Sequence, residues 1–184
     1  MSEVLHTDGE VVDANTIRFE RLLPGPIDRV WAYLTESEKR GQWLAIGDFD
    51  LRTGGKTRLF FRHKNLSPKQ SLAPQQYRKY DEEGGGFDGT VLRCEPPRLL
   101  AITWGGEPHE SEVTFELTPQ PNGEVLLILT HRRLADSEEM LDVSGGWHTH
   151  LGILADRLHG REPENFWVTF ERLKAHYEKK LQSN

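Results

Sequence analysis

The sequence predicts an α+β domain: a run of antiparallel strands whose apolar face is covered by an amphipathic helix near the C-terminus. Three observations carry this. The chain has 184 residues, the length of one domain with a real hydrophobic core. From about Phe49 to His131, apolar and polar residues alternate in short runs separated by glycine, proline and asparagine clusters, the period of strands. After residue 135 the period lengthens to that of a helix. A sheet of this length has to bury one face, and the late helix is the element available to cover it.

Taken in order, residues 1–15 show no period and several turn formers, so a flexible N-terminal segment or an edge extension of the sheet is expected there, with the domain itself spanning 16–184. Thr16 to Leu23 alternates, with Ile17, Phe19 and Leu23 opposite Arg18 and Glu20, a first strand. Pro24-Gly25-Pro26 breaks it, and Pro26 suits the first position of a helix whose apolar face is Ile27, Val30, Trp31 and Leu34. Ser37 is expected to cap a second short helix carrying Trp43 and Leu44. After Gly54-Gly55, the residues Thr57, Leu59, Phe61 and His63 share one strand face. Asn65 to Lys79 reads as a long loop over one end of the sheet. Tyr77 to Tyr80 is expected to pair with Phe87 to Cys94 across Gly84-Gly85-Gly86. Leu99 to Trp104 follows Pro96-Pro97. In Ser111 to Leu117, Val113, Phe115 and Leu117 alternate with polar residues. Pro121-Asn122-Gly123 then turns the chain into Val125 to Arg132, where Val125, Leu127, Leu129 and His131 share a face. Trp147, Leu151, Leu154 and Leu158 form a helical stripe with Ser144 as its expected cap. Pro163 restarts a helix with Phe166, Phe170, Leu173, Tyr177 and Leu181 on one side.

Composition narrows the function. The net charge is −6, from 23 basic and 29 acidic residues, which opposes nonspecific binding to phosphate backbones, so no nucleic-acid partner is expected. No secretory signal and no apolar run near ~18 residues is visible, which predicts no membrane insertion and a cytoplasmic protein. The single cysteine, Cys94, rules out an intramolecular disulfide and reads as an idle strand thiol.

The opening Arg21-Leu22-Leu23-Pro24-Gly25-Pro26-Ile27-Asp28-Arg29-Val30-Trp31, the stretch from Gly89-Thr90-Val91 to Glu95-Pro96-Pro97-Arg98-Leu99, Thr103-Trp104-Gly105, Leu129-Thr130-His131 and Gly146-Trp147 together span about 17–158. In order and spacing they resemble the START-like superfamily with the helix-grip, or birch-pollen-allergen, fold. Within it they are similar to the branch named after the activator of the heat-shock-protein-90 ATPase. The resemblance implies a curved antiparallel sheet wrapped around a long C-terminal helix, with a cavity between them that relatives use for lipids, steroids or polyketides. It also implies a second possibility, since the co-chaperone relatives use the surface of this domain beside a separate N-terminal chaperone-binding domain. Only 15 residues precede the first strand, so that architecture is not expected.

Candidate chemistry is sparse. His148-Thr149-His150 is an H-x-H pair, but on a helix residues two apart sit about 200° apart around the axis and cannot share an ion. They are therefore read as flanks of the Trp147/Leu151 stripe, with no metal and no cofactor expected. No nucleophile elbow or phosphate loop is present. Arg58, Arg62, Lys64, Lys69, Arg78 and Lys79 could form a basic band, read as a solvated face. Five tryptophans are the strongest hint. The expected pocket is lined by Phe61, Trp104, Phe115, Leu129, Trp147, Leu151 and Leu154, with His63 and His131 as polar handles. The expected role is non-enzymatic binding of a small apolar molecule. Chaperone regulation or another protein interaction is the alternative, and a hydrolase or cyclase acting in the cavity is the second.

Overall fold

The computed structural model describes residues 7–106 and 108–183. Seven strands form one antiparallel sheet: β1 (Glu10–Asp13), β2 (Thr16–Pro24), β3 (Lys56–Phe61), β4 (Gly85–Glu95), β5 (Leu99–Trp104), β6 (Ser111–Pro119) and β7 (Glu124–Arg132). Their spatial order is β1-β2-β7-β6-β5-β4-β3. The first long strand therefore returns beside the last, with Phe19 opposite Leu129 and Ile17 opposite His131. Alternation sets which side is buried. Val113, Phe115 and Leu117 of β6, and Val125, Leu127, Leu129 and His131 of β7, all point to the interior.

The helices are α1 (Ile27–Thr35), α2 (Ser37–Arg40), α3 (Arg78–Glu83), α4 (Ser137–Leu158) and α5 (Phe166–Gln182). The curved sheet and long α4 make the fold the expected helix-grip arrangement. α4 is covered in turn by α5, and at Gly145 the two helices meet closely enough that a Cβ would just touch the Lys174 backbone, at 3.4 Å.

Several local expectations are corrected. Residues 1–6 of the expected flexible segment lie outside the described residues, while 10–13 pair with β2 as an edge strand. Asp8 binds Lys180 at 3.0 Å and His176 at 2.8 Å, and the Gly9 amide donates to Tyr177 Oη, tying this stretch to α5. Tyr77 to Tyr80 is not a strand: both edges of β4 are taken by β3 and β5, and Gln75–Tyr77 forms a 3-10 turn that leads into α3. Pro26 is the residue before α1 rather than its first residue. Ser37 does not cap α2; its hydroxyl accepts from the Gly47 amide, and Trp43 and Leu44 lie beyond the helix. Nor does Ser144 cap α4. The helix starts seven residues earlier, where the Asp136 side chain accepts from the Glu139 amide. Ser144 is buried and donates to the Met140 carbonyl.

Candidate ligand pocket

β3 runs out of the sheet edge into a 3-10 turn at His63–Asn65, which swings the His63 ring under α5. β4 and β5 contribute Phe87 and Trp104 from the same side of the sheet. The first half of α4 supplies Asp142, Val143, Gly146, Trp147 and His150 at helical spacing, and α5 supplies Phe166, Trp167 and Phe170 from its first turns. With Phe61, Tyr77 and Tyr80 these side chains line an open pocket of about 280 Å³. Its floor is buried: Phe61, His63, Trp147, His150 and the three α5 aromatics. Its rim is half-buried: Tyr77, Tyr80, Phe87, Trp104, Asp142, Val143 and Gly146.

Of the nine residues expected to line a cavity, Phe61, His63, Trp104 and Trp147 do so. Phe115, Leu129, His131, Leu151 and Leu154 do not border it. They are buried on the central strands and on the part of α4 that presses against them. His131 still acts on the pocket at one remove. Its Nδ1 accepts from Trp147 Nε1 at 2.9 Å, and its Nε2 lies 2.7 Å from Ser111 Oγ, which donates to the Trp104 carbonyl. The chain of bonds fixes two wall tryptophans whose rings are 4.7 Å apart.

His150 was placed beside the stripe by its H-x-H pattern, yet it is a floor residue. Its spacing of three from Trp147 was the available signal, because residues three apart share a helix face. The sequence places Phe166 only in a helix stripe, does not single out Trp167, and reads Tyr77 only as part of the 65–79 loop and of a strand from Tyr77 to Tyr80. That loop is tied to the start of α5 by Ser67 Oγ donating to the Pro163 carbonyl and Asn165 Nδ2 donating to the Lys69 carbonyl. His148 faces the opposite way from His150, with its Nδ1 2.9 Å from Tyr177 Oη. Among the described residues, no group of histidine, cysteine and acidic side chains has metal-binding spacing.

The electrostatics follow from burial. Desolvation lowers the His63 pKa well below its ordinary value, with nearby His150 adding to the effect. Burial likewise pulls His150 down to about 4, partly opposed by the Trp43 carbonyl that its Nδ1 meets at 2.7 Å, and His131 down to about 3. All three are neutral imidazoles at neutral pH. Burial raises Tyr80 to about 12. At the rim, Lys174 holds Asp142 at 2.6 Å. Burial works against its charge, but the Asp142 bond prevails and raises its pKa. The basic band does not converge on the pocket: Arg58 faces Asp88, Lys69 faces Glu164, and Arg62 and Arg78 donate to the Glu83 and Ala73 carbonyls. Burial raises the Cys94 pKa, which keeps it a thiol. No helix among the described residues is long and apolar enough to cross a membrane.

A family model described as "Activator of Hsp90 ATPase homolog 1-like protein" matches residues 24–159. A Bordetella parapertussis protein solved by solution NMR is 47% identical, with a TM-score of 0.77 over 94% of this chain and 91% of that one. Crystalline CalU16 from Micromonospora echinospora is 25% identical, with a TM-score of 0.63 over 94% and 93%. A conserved protein from Enterococcus faecalis shares the fold at 17% identity, with a TM-score of 0.69 over 95% and 90%. No curated protein matches the chain.

Proposed function

This chain belongs to the Activator of Hsp90 ATPase homolog 1-like family, and from that premise we propose that it is a START-like domain binding a small, mainly aromatic molecule in the pocket between β3–β5 and α4/α5, without transforming it. One observation carries the reading. Nine of the fourteen lining residues are Phe, Tyr or Trp, arranged around about 280 Å³ of space that no protein atom fills. Small-molecule sites are typically apolar hollows of ~300–1,000 Å³ with a few convergent polar groups. This volume suits a ligand of one or two fused rings. Binding without chemistry is favoured because the lining contains no Ser, Thr or Cys, burial makes its two histidines weak bases, and its carboxylate Asp142 is paired with Lys174.

Gly146 provides the test. A Cβ added there meets no atom within 4 Å, so Gly146→Leu places its side chain in the pocket. Tryptophan emission is followed while an aromatic probe is titrated. The wild type should bind and be quenched, and Gly146→Leu should melt like the wild type but bind at least tenfold more weakly. An unaltered affinity in that variant would exclude the pocket as the binding site. The family's name supports a second reading, stimulation of a heat-shock chaperone ATPase. Titration into the cognate chaperone tests it, and unchanged ATP turnover at tens of micromolar would dismiss it.

A further inference from the structure

The charges of the pocket stand at its mouth, as an opposed pair. Asp142 is the one lining residue with a formal charge, and its Oδ1 accepts from Lys174 Nζ at 2.6 Å. Lys174 reaches the mouth as well. Its ammonium lies 5.9 Å from the Phe170 ring and 6.0 Å from the Tyr77 ring, both wall residues, and donates to Tyr77 Oη at 3.4 Å. The pair therefore bridges α4 and α5 where the Tyr77 turn meets them. Neither group is saturated. An ammonium has three N–H donors, and among the described residues Asp142 and Tyr77 take two of them. A carboxylate has two accepting oxygens, and Lys174 takes Oδ1. Both side chains stay open to solvent, 46% exposed at Asp142 and 28% at Lys174, so the spare oxygen and the spare N–H can be met by a group lying across the mouth.

From this arrangement we infer that the ligand is a zwitterionic aromatic of the α-amino-acid class, with its ring among the wall aromatics, its ammonium on Asp142 and its carboxylate on Lys174. The inference rests on the ligand-binding reading above. Sign decides among the head groups. A lone carboxylate at Lys174 also faces Asp142, and a lone ammonium at Asp142 also faces Lys174, so each meets one opposite and one like charge and gains little. A zwitterion laid head to tail across the pair meets an opposite charge at both ends. Its dimensions match. By standard bond lengths the nitrogen and the nearer carboxylate oxygen of an α-amino acid are about 2.7 Å apart, against 2.6 Å between Lys174 Nζ and Asp142 Oδ1. Depth decides which end goes in. The burial that holds the His63 and His150 pKa values down also penalises a ligand charge on the floor, so the charged end stays at the mouth and the ring fills the hollow.

Four probes that share one ring system separate the classes: indole, free tryptophan, indoleacetate and tryptamine, each titrated into the whole protein at pH 7.5 and followed by isothermal calorimetry. Tryptophan should bind about tenfold or more tightly than indole, the gain expected from charge-assisted hydrogen bonds at both ends, while the two singly charged probes stay within about threefold of indole. Removing one protein charge should then move the preference in a set direction. In Asp142→Asn, indoleacetate should equal or exceed tryptophan, and in Lys174→Met, tryptamine should do so, with indole changed less than about threefold in either. Both side chains are partly exposed, so both variants should melt close to the wild type, and a merely structural role for the pair would shift all four probes together. Tryptophan bound no better than indole, or tightest binding to the wild type by either singly charged probe, would overturn the zwitterion assignment while leaving the aromatic pocket intact. A tryptophan preference that survives both variants would overturn the placement of its head group on this pair. If none of the four binds, the ligand-binding reading fails, and this inference with it.

Discussion

His131 lies at zero exposure on β7 with both ring nitrogens engaged, one by Trp147 and one by Ser111. Its folded pKa of about 3, and the value of about 4 at His150, set the sign of the pH response. Both lie below the unfolded value near 6.5, so the unfolded chain takes up protons that the folded chain refuses. Stability is therefore fully present above about pH 6.5 and declines as pH falls towards the folded values. At pH 5 each histidine should cost about 2 kcal/mol, and the two together should lower the Tm by roughly 10 °C relative to pH 7.5. Thermal melts across that range check this, and His131→Gln should flatten the slope by about a third, since buried His63 shares the response with His150. Gly146 offers a second test at this scale. Its Cβ position is open space on a helix, so Gly146→Ala should raise stability by about 1 kcal/mol in denaturant unfolding.

Two helices divide the labour of core and pocket. α4 presses Leu151 and Leu154 into the core, and Leu154→Asp would bury a carboxylate without a partner. The cost should be several kcal/mol, visible as loss of cooperative melting. α5 instead hangs three aromatics over the pocket from its first turns. Its start depends on Asn165, whose Oδ1 accepts from the Trp167 amide at 3.0 Å while its Nδ2 donates to the Lys69 carbonyl at 2.9 Å. Asn165→Ala should cost about 1–2 kcal/mol as a lost cap. Because Phe166 and Trp167 move with that turn, probe affinity should weaken as well, by severalfold in the same titration. Weakened melting with unchanged probe affinity would mean that the cap does not position the wall.

For the molecule as a whole, the sheet and helix pair form a continuous core with the hollow confined to the β3–β5 side, so filling the hollow should stabilise the entire fold. A ligand at a hundred times its Kd adds about 2.7 kcal/mol, equivalent to a Tm increase of roughly 5–10 °C for a chain of this size. Differential scanning calorimetry with and without a bound aromatic probe measures it directly. Gly146→Leu should show no increase, since its side chain already occupies the space.

The sheet, the terminal helices and the family were legible in the chain because their signals are local. Alternation in Val113-Thr114-Phe115-Glu116-Leu117 assigns one face to the interior whatever the strand pairs with, and the Trp147 to Leu158 stripe does the same for a helix. The edges of elements were less legible. Asp136 and not Ser144 starts α4, because a serine inside a helix can bond back to a carbonyl one turn earlier as readily as it caps. The pocket was legible in part. Aromatic residues on inward faces pointed to a wall, but the same inward direction describes Leu129 and Leu151, which are packed, and Trp104 and Trp147, which border the hollow. Whether an inward side chain meets a neighbour or a void depends on the distance between elements far apart in sequence. Only the folded arrangement, with His63, Trp104, His150 and Trp167 brought together from four elements, decides that.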